Sequence, residues 1–282
     1  MQPDDVPRAE RLSSEAFYQA DVESFPPAWP APERRPASRA ANWIARTSRF
    51  LETDPGGCFA AVDDGELVGF ATSMVRESLW CLATYAVLPG RQGQGTGKRL
   101  LDAALGYGAN CERSMLSASS DPKAVRRYRL AGFDLHPMMF LSGKVDRSAI
   151  PAVTGLREGT ANDVELLDSI DRELRGAGHG PDHEALAAMG DLVVDVAGQG
   201  YAYAGPRGPA LVAAVDVETA ERLLWECLAR GGDEPVVAHV TAANQWALDI
   251  GLAARLALFS DGYLGLRGMA PPAAYLHNGA LL

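Results

Sequence analysis

The residues best suited to chemistry are Gln92-Gly93-Gln94-Gly95-Thr96-Gly97. They follow an apolar run at 82–88 and precede the helix-forming run 98–105. Strand, glycine-rich turn and helix start together build an anion cradle. Glycines let successive backbone N–H groups converge, and the unused amides of the helix start add positive potential. Such a cradle takes a phosphate or pyrophosphate. The spacing excludes two common phosphate loops. A nucleotide-triphosphate loop needs glycine at Gln92 and a hydroxyl residue at Arg99. The dinucleotide fingerprint started at Gly93 or Gly95 meets Lys98 or Leu100 where it needs its last glycine.

A second motif lies downstream, in Asp121-Pro122-Lys123-Ala124-Val125-Arg126-Arg127-Tyr128-Arg129-Leu130-Ala131-Gly132-Phe133. It reads as a short helix capped by Asp121, with Pro122 in its first turn and Gly132 as its stop. A last strand is expected over 135–145. The two motifs stand about 30 residues apart in one βα unit. Together, Q-x-x-G-x-G after a strand and a helix carrying Ala, Tyr and then Gly-Phe resemble the GNAT superfamily of acyl-CoA-dependent N-acyltransferases.

The resemblance implies an α/β fold with a mixed, mostly antiparallel central sheet flanked by helices, and acetyl-CoA as cosubstrate. It implies that backbone groups of Ala86, Val87 and Leu88 pair with the pantetheine arm, on a strand that a bulge splays from its neighbour. Gln92, Gly93, Gly95, Gly97 and Lys98 would hold the pyrophosphate, with Gln94, Thr96 and Asp121 in the same binding set. Tyr128 would protonate the departing thiolate, a role open to a phenol with pKa near 10. Many members place a carboxylate base around positions occupied here by Ala83 and Thr84. The base is therefore left open between a water chain, Glu52, Asp54, Glu77 and a residue of the second half. The missing base also leaves room for an acyl-CoA-binding sensor without efficient catalysis.

The chain reads as two copies of one architecture. Helices are expected from Val6 to about Gln19 and from Val164 to about Leu174, each opened by acidic or amide residues. The expected division is a GNAT domain at 1–145, a linker at 146–154 and a degenerate GNAT-like domain at 155–282. In the second copy a strand at 211–215 and a helix at 219–229 are joined by Asp216-Val217-Glu218, which would repel a pyrophosphate. The segment 244–252 resembles a worn version of 121–133, with Ala247 where the first copy has Tyr128. The second half is thus expected to complete the acceptor pocket through Tyr275, His277 and Asn278 rather than to bind coenzyme A. The proline-rich stretch from Phe25 to Pro32 is expected to cover that pocket.

Bulk properties set limits on partners. The 282 residues carry a net charge of −10, which argues against nucleic acid and anionic membrane and would suit a cationic acceptor. No apolar run approaches a membrane span and no signal peptide is visible, so the expected location is cytoplasmic. Cys58, Cys81, Cys111 and Cys227 lack paired spacing and are expected to be free thiols. His179 and His183 stand four apart, but Gly178, Gly180 and Pro181 break a helix there, so no metal site is expected. The expected activity is acetyl transfer from acetyl-CoA to a primary amine of a small molecule, and a homodimer is compatible with it.

Overall fold

The structure, a computed structural model, describes residues 1–24 and 32–282; the expected covering stretch from Phe25 to Ala31 lies outside the described residues. Helices α1 (Val6–Ser24) and α2 (Ala37–Thr53) lead into strands β1 (Cys58–Asp63), β2 (Glu66–Arg76) and β3 (Leu79–Val87). The β1–β2 turn is Asp64-Gly65, both with positive φ, the conformation a two-residue hairpin prefers. Then come α3 (Thr96–Tyr107), β4 (Arg113–Ala118), α4 (Pro122–Leu130) and β5 (Asp134–Ser142). Neighbours on β2 point to opposite faces. Phe70 packs with Val6, Leu12 and Trp43 under α1 and α2, while Ala71 packs with Leu101 and Tyr128 under α3 and α4.

The second half repeats the order: β6 (Leu156–Glu158), α5 (Val164–Arg175), α6 (Asp182–Ala187), β7 (Asp191–Asp195), β8 (Gly200–Gly205), β9 (Gly208–Ala214), α7 (Val217–Arg230), β10 (Val236–Thr241), α8 (Gln245–Ala253), β11 (Ala257–Arg267) and β12 (Tyr275–Leu276). Both expected opening helices are present as α1 and α5.

Strand pairing does not follow the expected boundary at 146–154. One sheet runs β1-β2-β3-β4-β11-β5-β10 and the other β12-β9-β8-β7-β6. The last long strand of each half is inserted beside the other half's strands. Tyr263 to Arg267 of β11 pair antiparallel with Ala118 to Ser114 of β4, and Ala257 to Leu266 pair with Ser142 to Asp134 of β5. On its other edge β5 pairs with β10. The series β4-β11-β5-β10 is therefore an exchange in which each half lends its final strand to the other. The linker divides the repeat and not the sheets.

Apolar packing follows the exchange. Leu141 and Val145 of the first half are buried with Val212, Leu223, Leu224 and Val237 of the second. Met74, Leu79 and Met115 are buried with Leu167, Tyr201 and Leu211. Arg76 adds a buried ionic tie. Its guanidinium makes two 2.7 Å bonds to Asp182 and a 2.8 Å bond to Asp54. Arg76→Met strands two buried carboxylates and is expected to cost about 3 kcal/mol, because an unpaired buried charge is worse than none. Urea denaturation checks this; a loss below about 1 kcal/mol would mean the carboxylates find water instead.

Candidate active site

Two breaks in regular pairing open the first sheet. Thr72 pairs with Thr84 but Ser73 pairs with Leu82, so Ala83 is an extra residue on β3. This is a bulge, and it bends the strand that carries it. The parallel pairing of β3 with β4 runs from Leu79/Arg113 to Leu82/Leu116 and stops there, although both strands continue. The expected bulge and splay are both present.

The splay decides which backbone groups are offered. Leu88 N donates to Val68 O at 2.9 Å. Ladder bonds alternate along a strand, so Leu88 and Ala86 spend theirs on β2, and Val87 and Tyr85 turn theirs toward the opening. Of Ala86, Val87 and Leu88, only Val87 faces the gap. Its carbonyl accepts from Gln92 Nε2 at 3.3 Å.

The loop after β3 is built on positive φ: Gly90 at 81°, Gly93 at 82° and Gly95 at 85°. A Cβ at any of the three would meet nothing within 4 Å, so they are required by backbone conformation and border open space. Gly95 is the N-cap of α3, and no side chain caps that end. The first helical bond is Arg99 N to Gly95 O, leaving the N–H groups of Thr96, Gly97 and Lys98 without intrahelical partners. In the second half the matching helix α7 is closed. Asp216 caps it by accepting from Thr219 N at 2.7 Å, in keeping with the expected loss of the cradle there.

Side chains around the cradle differ from the expected set. Lys98 extends along the helix to Asp102 at 2.5 Å and is exposed, so its ammonium is not at the loop. Asp121 spends its carboxylate capping α4, accepting from Lys123 N at 2.9 Å. The cation at the cradle is Lys123, whose Nζ donates to Gln92 Oε1 at 3.2 Å. Its sequence signal was its place in the first turn of a helix beside the loop. Gln94 is exposed and Thr96 is buried at the first position of α3.

Tyr128 is buried, with its ring edge-on to Tyr85 at 6.2 Å and packed against Phe133. Burial, reinforced by Tyr85, raises its pKa well above the phenol range, so it stays protonated. Tyr85 is the junction of the site. Its hydroxyl lies so close to Gly97 that a Cβ there would collide with it, and its ring borders the cavity on the other side. Trp80 and Cys81 are core residues, and burial lifts the Cys81 thiol to about 11.

The second half has no tyrosine at the equivalent place, though the matching residue is not Ala247. Phe133 N bonds to Tyr128 O, and Leu256 N bonds to Gly251 O at the end of α8. Gly251 therefore stands where Tyr128 does. A Cβ on it would lie 2.6 Å from Leu141, because the exchanged strand β5 fills that space.

A cavity of about 410 Å³ opens at the bulge. Leu82 to Tyr85 and Ser117 form its floor, Arg35, Arg39, Trp43 and Arg46 one wall, and Met189, Gly279 and Ala280 of the second half another. The closing segment thus reaches the cavity, but through Gly279 and Ala280. Tyr275 and His277 are buried away from it, and Asn278 accepts from the N–H groups of Ala280 and Leu281. No carboxylate or imidazole lines this cavity among the described residues. Asp54 already accepts from Val75 N, Tyr107 Oη, Arg76 and Thr53, and Glu77 pairs with Arg172. Glu52 borders an adjoining cavity of about 290 Å³, together with Glu184.

His179 and His183 do converge, with Asp171, in the buried contact between the halves. Every ring nitrogen there has a protein partner: Asp171 and Leu282 O for His179, Tyr203 Oη and Asp168 for His183. Arg175 Nη1 stands 3.0 Å from His179 Nε2, on the side of the ring away from Asp171. The cluster acts as a hydrogen-bonded core. The four cysteines are free.

Residues 14–133, in the first half of the chain, match the acetyltransferase (GNAT) family. No curated protein matches the sequence. Among solved structures, a candidate acetyltransferase from Pyrococcus horikoshii aligns over 100% of this chain and 93% of its own, with 18% identity and a TM-score of 0.75. A GCN5-related N-acetyltransferase from Sphaerobacter thermophilus aligns over 97% and 96%, with 17% identity and a TM-score of 0.57. A tandem GNAT protein from the clavulanic acid biosynthesis pathway aligns over 94% of each chain, with 14% identity and a TM-score of 0.57. These likenesses establish the fold. Among the described residues no helix is long and apolar enough to cross a membrane.

Proposed function

We propose that the first half transfers an acetyl group from acetyl-CoA to a primary amine of a small molecule by direct attack in a ternary complex. The observation that carries this reading is the single uncapped glycine cradle at 93–97, joined through Tyr85 to the cavity at the bulge. The cradle amides and Lys123 receive the pyrophosphate. The outward edge of β3 at Val87 receives the pantetheine arm, which carries the thioester to the mouth of the cavity. Holding both reactants there supplies much of the rate through proximity.

The amine nitrogen attacks the thioester carbonyl, and the C–S bond breaks as the tetrahedral intermediate collapses. Tyr128 hands its proton to the departing sulfur. Burial makes the phenol a weaker acid, and the same burial makes the thiolate a stronger base, so the two remain matched. Among its described lining residues the cavity carries no base of its own, so the ammonium proton leaves through water, past the groove bearing Glu52 and Glu184.

A panel of amines read by release of free coenzyme A thiol tests the reading. Thiol release dependent on some amine supports transfer. Tight acetyl-CoA binding with no release on any amine would favour a sensor. Tyr128→Phe removes only the proton donor, so turnover should fall about 10²-fold with acetyl-CoA affinity unchanged. A variant with full turnover and a lowered melting temperature would reduce Tyr128 to packing.

A further inference from the structure

The wall of the cavity formed by the entry to α2 is cationic, although the protein as a whole carries a charge of −10. Arg39, Asn42 and Arg46 stand at helical spacing on one face of α2, and Arg35 precedes the helix. These arginines are not equivalent. Arg35 is neutralised: its Nη1 donates to Glu10 at 2.8 Å and to Ser13 Oγ at 2.9 Å, and its guanidinium lies over the Trp43 ring. Arg39 has no ion-pair partner among the described residues, and neither has Arg46. Arg46 is half-buried, and its Nε is enclosed without any hydrogen-bond partner.

An enclosed guanidinium N–H without an acceptor is costly, and a site keeps one where a ligand supplies the missing acceptor. Arginine is also the side chain whose planar fork suits carboxylate and phosphate. We propose that the acceptor is an anionic amine, a small molecule bearing a carboxylate or phosphate that Arg46 and Arg39 bind while its amino group faces the thioester at the bulge. The inference rests on the transferase reading and narrows it. Polyamines and aminoglycosides, which are polycations, are repelled by this wall.

The same charge serves the chemistry. Acyl transfer needs the neutral amine, and nearby positive charge disfavours the ammonium form. A cationic wall thus lowers the amine's pKa in a cavity that offers no base among its described lining residues. The acceptor's single carboxylate offsets one of the two unpaired guanidinium charges, and the other still biases the amino group toward losing its proton.

The test uses amines in charge-matched pairs on the full chain: amino acids against their carboxamides, aminoalkyl phosphates against the parent amino alcohols, and spermidine as a polycation. The anionic member of a pair should show kcat/KM at least about tenfold higher, the equivalent of one good charge-assisted contact. In Arg46→Met that ratio should collapse toward one while acetyl-CoA affinity, measured by calorimetry, stays at the wild-type value. Arg46→Lys should restore part of it. Preference for phosphate over carboxylate, or the reverse, names the source of the anion. Turnover without charge preference, or a ratio untouched in Arg46→Met, would overturn the anionic acceptor and leave the transferase standing. Calorimetry with N-acetyl amino acids and their amides, in the presence of coenzyme A, separates the other case. Arg46-dependent binding of the anionic probe with no turnover of any amine would retain the anion site and remove the transferase.

Discussion

Gly95→Glu is expected to abolish the proposed acetyl-CoA binding, lowering affinity by at least about 10³-fold, while the protein remains folded. Two effects add. Gly95 holds φ of 85°, a conformation that costs an L-residue about 1–2 kcal/mol, so the turn that aims the amides relaxes. The new carboxylate also enters the open space bordering Gly95 and meets the pyrophosphate there. Gly65 supplies the control. It has φ of 80°, equally open surroundings and a place in the β1–β2 turn. Gly65→Glu should lose similar stability and bind acetyl-CoA as the wild type does. Calorimetry on both variants decides the matter. Equal loss in the two would trace it to general instability, and unchanged affinity in Gly95→Glu would remove the cradle.

The glycine-rich turn and the helix that carries Tyr128 were legible in the sequence because each is local. A glycine-rich turn declares its φ requirement through residue type, and Asp121-Pro122 with Gly132 marks both ends of α4. What was not legible is what depends on pairing across the chain. Residues 135–145 read as the final strand of their own copy. Nothing in its alternation tells which strands will flank it, since either register buries an apolar face. The correspondence of Gly251 with Tyr128 was hidden for the same reason. Glycine suggested a helix stop, as at Gly132, whereas the actual stop is Arg255 in positive φ and the glycine makes room for Leu141. Net charge and cavity lining point to different acceptors, because a sum over 282 residues says nothing of the few that line a cavity. The spacing of Arg39 and Arg46, two helical turns apart, is the local signal in the sequence for the cationic wall.

A chain ending at Ala149 is expected not to fold. The removed segment carries β11, which lies between β4 and β5, and β10, which holds the other edge of β5. β5 would lose every strand partner it has in the sheet, and β4 would keep only its short parallel pairing with β3. Exposed edges of this kind recruit other chains. The truncation also uncovers Met74, Leu79, Cys81 and Met115, buried now against Leu167, Tyr201 and Leu211. Aggregation or a broad thermal transition, with near-ultraviolet dichroism lost, is the expected result in gel filtration and melting experiments. A monomer that melts cooperatively and binds acetyl-CoA would show that β4 and β5 pair directly once β11 is gone. The dependence runs both ways, since β5 also fills the space beside α8. The second half is therefore indispensable without a glycine cradle of its own: it supplies a strand to the sheet that carries the first half's cradle, and Met189, Gly279 and Ala280 to the cavity.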